Sequence, residues 1–226
     1  LRVAGCDHDC VLLPLMTHAG HTYDRIASHF SKTREYAWPE IEEFLDGRSG
    51  AVGLDLGCGN GRHAEVLAAH TDRTIGVDAS RGLLTEAADR SLERGFPLDL
   101  VTGDAGTVPL QASAVDLAVY VATIHHLRSR ERRLASLNEL ARVLAPGGHA
   151  LVSAWSTAHT RFEDEETDGT GLDTEVDWTL PGGKTVPRYY HVYDPKEFDR
   201  ELAASELVVE SSEVSSGNCY AVVTTQ

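Results

Sequence analysis

The chain has 226 residues, 42% of them hydrophobic, enough to bury one sizeable core, so one domain with an insertion is the expected plan. Its formal net charge of −15 argues against a nucleic-acid partner. Yet lysine occurs only at Lys32, Lys184 and Lys196 while aspartate, glutamate and arginine are plentiful, the balance of a halophilic protein. In high salt the Debye length shrinks to about 3 Å at 1 M, so net charge then reports the solvent more than the ligand. No apolar run approaches a bilayer span, and no membrane insertion is expected.

In chain order, the apolar stretch CVLLPL is too short for a signal peptide and lacks its basic flank. Residues 1–15 are expected to be a non-native or disordered leader before Met16, with a single domain over 16–226. The four cysteines, Cys6, Cys10, Cys58 and Cys219, are too sparse for a disulfide scaffold and suit a reducing cytoplasm. Cys6 and Cys10 have no second Cys/His pair at finger or ribbon spacing, so no metal site is expected.

A helical segment is expected over 21–47. From residue 51, short β-branched runs alternate with amphipathic stretches, the pattern of a parallel sheet with helices on both faces. The strands fall at AVGLDL (51–56), RTIGVD (73–78), LDLVTGD (98–104), VDLAVYVAT (115–123) and HALVSAW (149–155). Helices are expected over 62–70, from the cap Ser80 to Gly95, and from about Leu134 to Pro146-Gly147-Gly148. Residues 156–187 are acidic, rich in Gly and Thr and weakly periodic, and read as an inserted loop. After a helix over 195–204, LVVESSEV and CYAVVTT close the chain as an antiparallel hairpin.

LDLGCGNGRH (54–63) carries the chemistry. Gly57, Gly59 and Gly61 follow a buried strand and open a helix, where glycine permits a tight turn and close approach of a ligand. The spacing is G-x-G-x-G, since position 62 is arginine; alone the pattern is weak. Asp78 ends the second strand, placed to accept from ribose hydroxyls, and Asp104 ends the third, placed to accept from an exocyclic amine. With Asp55, three consecutive strands end in acids.

LDLGCGNG, GVDAS, GDA and the LAPGG turn resemble the Rossmann-like class I S-adenosylmethionine-dependent methyltransferases over about residues 50–155. That resemblance implies an α/β fold with a mostly parallel seven-stranded sheet. It implies that Gly57, Gly59 and Gly61 pass under the methionine moiety, with Asp55 holding its ammonium. Asp78 with Ala79 would meet the ribose, Asp104 with Ala105 the adenine edge, and Val121 with Ala122 the sulfonium. Cys58 reads as a small packing residue.

Four flanking segments narrow the resemblance: YDRIASHFSKTREYAWPEIEEFL (23–45), IHHLRSRERRLASLNELARVLAPGG (124–148), RYYHVY (188–193) and GNCYAVV (217–223). Together they are similar to the tRNA wobble-uridine methyltransferases that esterify 5-carboxymethyluridine. The implied partners are a tRNA anticodon loop and a small zinc-binding activator that pairs with the open sheet edge, here FPLDLV (96–101). A carboxylate is ionised at neutral pH, so methylation needs alignment rather than a general base. Arginine, tyrosine and histidine donors suit such a pocket, which makes Arg34, His126, Arg188, Tyr190 and His191 the candidates. Arg34 otherwise reads as a surface ion pair, Tyr189 and Tyr190 as core-edge aromatics, His125 as a packed strand-end residue, and Trp38 and Trp155 as packing side chains. Arg128, Arg130, Arg132 and Arg133 read as a solvated helix face paired with Glu131 and Glu139. A small-molecule carboxylate or phenol methyltransferase, and a non-catalytic scaffold, remain the alternatives.

Overall fold

A computed structural model describes residues 18–163, 165 and 167–225. The expected leader, with Cys6, Cys10 and Met16, lies outside the described residues. In chain order come the helices α1 (His18–Asp24), α2 (Ala27–Lys32) and α3 (Pro39–Leu45), then β1 (Gly50–Leu56), α4 (Arg62–Leu67), β2 (Thr71–Asp78) and α5 (Arg81–Arg94). β3 (Asp99–Thr102), β4 (Val115–Val121), α6 (Arg130–Val143) and β5 (Leu144–Trp155) follow. The last elements are β6 (Leu172–Thr179), β7 (Thr185–Val192), α7 (Pro195–Ala203), β8 (Val208–Ser215) and β9 (Asn218–Thr224).

The expected seven-stranded sheet forms in the order β3-β2-β1-β4-β5-β9-β8. β1 to β5 pair in parallel, and β9 runs antiparallel to both β5 and β8, so the terminal hairpin completes the sheet. β4 shows why the strands read as unbroken apolar runs: both of its faces are covered. Ala118 and Tyr120 meet Leu137 and Leu140 of α6 and Phe198 of α7, while Leu117, Val119 and Val121 meet Ile41 and Phe44 of α3 and Leu67 of α4.

Three expectations change. The 21–47 segment is not one helix: the chain leaves α2 at Thr33, and extended Trp38 precedes Pro39, which opens α3 at the first-turn position proline tolerates. The helix expected to reach the Pro146-Gly147-Gly148 turn stops at Val143, because Leu144 already pairs with Val115 as part of β5. The inserted loop contains β6 and the start of β7. Leu172, Thr174, Val176 and Trp178 are the less exposed positions along β6, which pairs with β7 around the turn at 181–183.

Those departures position the site. Asp24 at the end of α1 accepts from Ser80 Oγ at 2.7 Å and from Gly82 N at 2.8 Å, fixing α1 on the start of α5. The buried amide of Asn60 donates to Arg34 O at 2.9 Å and Ser31 Oγ at 3.3 Å, tying α2 to the glycine loop. Trp178 Nε1 on β6 donates to His29 Nδ1 on α2 at 3.0 Å, so the hairpin and the N-terminal helices meet above the strand ends.

Candidate active site

β1 ends at Leu56, and the chain turns through Gly57 with φ 77°, a left-handed conformation. A Cβ there would lie 2.2 Å from Thr123 Oγ1, so both conformation and space demand glycine. Gly59, φ 53°, has open space where its Cβ would stand, so a ligand can lie against its backbone. Its N–H donates to Asp78 Oδ2 at 2.8 Å, while Ser80 N donates to Asp78 Oδ1 at 2.7 Å. Burial pushes the Asp78 carboxyl above its usual range despite these donors.

These groups border a cleft of about 870 Å³. Gly57, Gly59, Asp78 and Ala79 form one wall, and Asp104, Ala105, Val121 and Ala122 another. Gly61 is instead the left-handed N-cap of α4, against Ala87. Asp55 is 1% exposed, and its Oδ2 is buried without a partner. Burial, then the charge of Asp78, raise its carboxyl to about 7. A buried acceptor left open is costly, and a cationic ligand group would supply what it lacks. An open glycine backbone, a carboxylate at a strand end and an orphaned buried acceptor fit the expected cofactor. Ala122, with φ 53°, carries local strain where β4 reaches the cleft, as functional positions often do.

Asp104 is more engaged than expected. Its Oδ1 accepts from Gly106 N, and its Oδ2 holds Arg132 at 2.7 Å. Arg132 is 51% exposed, so the pair is weak enough for an adenine amine to compete. The arginine run is therefore not a uniform solvated face. Arg133 is 4% exposed and salt-bridged to Glu201, and Glu139 pairs with Arg142 rather than with the run.

On the acceptor side, His126 follows β4 in a single helical turn and not on the strand itself. Its Nδ1 faces Tyr189 O at 2.9 Å, and a carbonyl only accepts, so Nδ1 carries the proton. Nε2 then accepts from the Tyr23 hydroxyl at 3.0 Å. Burial lowers the His126 imidazole to about 4, so it is neutral at physiological pH. The adjacent His125 is buried and accepts from Trp155 N at 2.9 Å.

β7 sorts the RYYH candidates by its pleat. Arg188 and Tyr190 share one face: the Arg188 guanidinium lies 4.8 Å from the Trp178 ring centroid and 5.2 Å from that of Tyr190. Arg188 is 8% exposed, its Nε is unpartnered, and it makes no ion pair among the described residues. Arg34, just past the end of α2, reaches the same indole, 5.6 Å from the Trp178 centroid. His191 points to the opposite face, between Asp173 at 2.8 Å and Glu197 at 3.2 Å, and does not join the pocket. Trp38 packs against His63 and Tyr220, and Trp155 against Phe162 and Tyr190.

Tyr23 and Trp178 were missed by sequence reasoning. The alternation Leu172, Thr174, Val176, Trp178 before Pro181-Gly182-Gly183 was the available signal for Trp178. Nothing local marks Tyr23, whose partner lies 103 residues away. Among the described residues, no group of three or more His, Cys, Asp or Glu is placed to hold a metal, and no helix is long and apolar enough to cross a membrane.

A family model described as a methyltransferase domain matches residues 54–152. Two solved chains share the fold. The DhpI-SAH complex superposes with a TM-score of 0.69 at 19% identity, covering 92% of this chain and 95% of that one. A chain from the complex between the Haloferax volcanii Trm112 methyltransferase activator and a methyltransferase gives 0.65 at 14%, covering 90% and 97%. The fold is thus that of the Rossmann-like class I methyltransferases. The tRNA (carboxymethyluridine(34)-5-O)-methyltransferase of Schizosaccharomyces pombe is 33% identical over 197 residues, 78% of this chain and 82% of that protein. The Saccharomyces cerevisiae protein of that name is 34% identical, covering 74% and 58%, and ALKBH8 of Mus musculus is 40% identical, covering 62% and 20%. The chain belongs to this tRNA (carboxymethyluridine(34)-5-O)-methyltransferase family. It spans only part of the length of several relatives, about a fifth of the mouse protein.

Proposed function

We propose that the protein transfers a methyl group from S-adenosylmethionine to the carboxylate of 5-carboxymethyluridine at the wobble position of tRNA, giving the methyl ester. The observation that carries this reading is Arg188: a buried cation without an ion pair among the described residues, beside the donor cleft. A buried unpaired guanidinium is costly, and an anionic acceptor offsets that cost through two parallel hydrogen bonds. When bound, the cofactor supplies a methyl group on sulfur, so an O–C bond forms to the carboxylate as the S–C bond breaks.

The chain's own residues would bind and align. Gly59 leaves room along the glycine loop that Gly57 turns and Gly61 caps onto α4; Asp55 would meet the ammonium, Asp78 and Ala79 the ribose, and Asp104 and Ala105 the adenine. Val121 and Ala122, which line the cleft, would border the reacting sulfur. Arg188 and Arg34 hold the carboxylate against Trp178, leaving one oxygen lone pair free to attack. His126 lacks the proton to act as an acid and has both nitrogens engaged, so it fixes Tyr23 and Tyr190 rather than moving protons. We place the protein in the cytoplasm of a high-salt cell, consistent with its scarcity of lysine. We also pair it with a small zinc-binding activator at β3, a four-residue strand whose outer edge no other strand covers among the described residues.

The test incubates the protein, with and without a co-expressed activator, with labelled cofactor and bulk tRNA, followed by digestion to nucleosides. A base-labile methyl ester on a uridine supports the reading, and Arg188→Ala should lower its rate at least 100-fold with cofactor affinity unchanged. Labelling of small carboxylates or phenols with no uridine ester would sink it in favour of a small-molecule enzyme, and no labelling at all would favour a scaffold.

A further inference from the structure

A second cavity, of about 540 Å³, adjoins the donor cleft and shares Ala19, Tyr23 and His126 with it. Three arginines border it: Arg25 after α1, Arg128 before α6 and Arg188 on β7. They stand at two depths. Arg188 is buried against Trp178, whereas Arg25 and Arg128 are exposed at the mouth. One carboxylate, Glu175, opposes them, 4.0 Å from Arg128 and 61% exposed, a separation and exposure at which an ion pair contributes little.

Arg128 is nevertheless held in place. Its guanidinium lies 4.4 Å from the Tyr189 ring centroid, and the Tyr189 hydroxyl is anchored on Asp173 at 2.7 Å. A carboxylate is satisfied by one bidentate arginine with a second nearby. Arg188 and Arg34 fill that need, so the cations at the mouth are surplus to it. In a chain of net charge −15, a local excess of cations beside a pocket for a modified nucleotide calls for a second anion.

We infer that the mouth of this cavity is a phosphodiester subsite, where Arg25 and Arg128 grip a backbone phosphate flanking the nucleotide whose carboxylate Arg188 holds; this presupposes the RNA acceptor proposed above. The ligand class is single-stranded RNA, engaged through its backbone without reading bases. Contacts of this kind position a strand and carry the salt dependence of binding.

The experiment measures affinity for a fluorescent single-stranded RNA carrying plain uridine, so that no methylation is needed, over a salt series. The Arg25→Gln/Arg128→Gln double variant should bind at least 10-fold more weakly, with the slope of log affinity against log salt reduced by about one to two. Lys196→Gln/Arg200→Gln removes the same charge from α7 and should leave affinity within about twofold. In methyl transfer to carboxymethylated RNA, the mouth variant should raise KM with kcat little changed. Unchanged RNA affinity, or an equal loss in the α7 variant, overturns the subsite. If the wild type never methylates carboxymethylated RNA yet the mouth variant alone loses RNA affinity, the acceptor assignment fails and the phosphate subsite stands.

Discussion

Arg133 of α6 and Glu201 of α7 meet in a two-pronged ion pair, at 2.7 Å and 3.1 Å, with both side chains almost wholly buried. The Tyr193 hydroxyl adds a third bond to Glu201 at 2.8 Å, and Glu197 approaches Arg133 at 3.5 Å. Removing Glu201 leaves Arg133 buried with only the longer contact to Glu197. Glu201→Ala should therefore destabilise the fold by about 3–5 kcal/mol, read as a lower urea midpoint. Arg133→Met/Glu201→Leu, which removes both charges, should cost clearly less. Equal losses in the two variants would contradict this account.

Asp78 supports the glycine loop through Gly59 N as well as facing the cleft. Asp78→Ala should weaken cofactor binding at least 100-fold by calorimetry, with far-ultraviolet circular dichroism unchanged. Retained affinity would remove Asp78 from the binding site.

In the proposed site, Asp55 would give cofactor binding a pH dependence. Its carboxyl, raised from 3.8 to about 7, is protonated below that value in the ligand-free protein. A cofactor ammonium needs the anion, so affinity should climb as pH rises from about 6 to 8 and then level, and Asp55→Asn should abolish the climb. The stability sign is opposite. Between 3.8 and about 7 the folded state holds the proton more tightly than the unfolded one, so this group makes stability fall as pH rises through that window. At pH 8, Asp55→Asn should melt several degrees higher while binding less cofactor. A pH-independent affinity in the wild type would refute the assignment.

His126 should leave no mark on the pH profile of methyl transfer. With its imidazole lowered to about 4, kcat at saturating cofactor should stay flat from pH 6 to 9. His126→Asn, which loses the bond to Tyr23, should cost about 10-fold at every pH. An acid limb near 6.5 that disappears in this variant would mean that His126 moves a proton.

Gly57→Ala combines an unfavourable φ with a contact 2.2 Å from Thr123 Oγ1. A loss of about 2–4 kcal/mol is expected. Adding Thr123→Gly should recover part of it by opening the space, and no recovery would assign the whole loss to the backbone.

The donor side of the site was legible because its signals are local. A buried strand, a glycine turn and an acid at the next strand end lie within 25 residues, from Leu54 to Asp78, and Ser80 caps α5 through its own side chain. On the acceptor side Arg34, His126, Arg188 and Tyr190 were named, but not their partners Tyr23 and Trp178, because that side is assembled from α1, α2 and a hairpin whose polar alternation resembles a loop. Arg133 looked like its exposed neighbours, and only Glu201, 68 residues on, separates them. Composition alone also could not choose between Arg188 and His191, since the face that each presents depends on how β7 docks.

That docking leaves little tolerance. Arg188 and Tyr190 lie together beside Trp178, while Tyr189 and His191 look to Asp173 on the other face. Because side chains alternate along a strand, a slip of one residue at the 181–183 turn would exchange the two sets together, putting histidine and an anchored phenol where the cation belongs. A change of length confined to the turn leaves that pairing, and so both sets of side chains, in place, whereas one residue gained or lost inside either strand would cost the protein its buried cation.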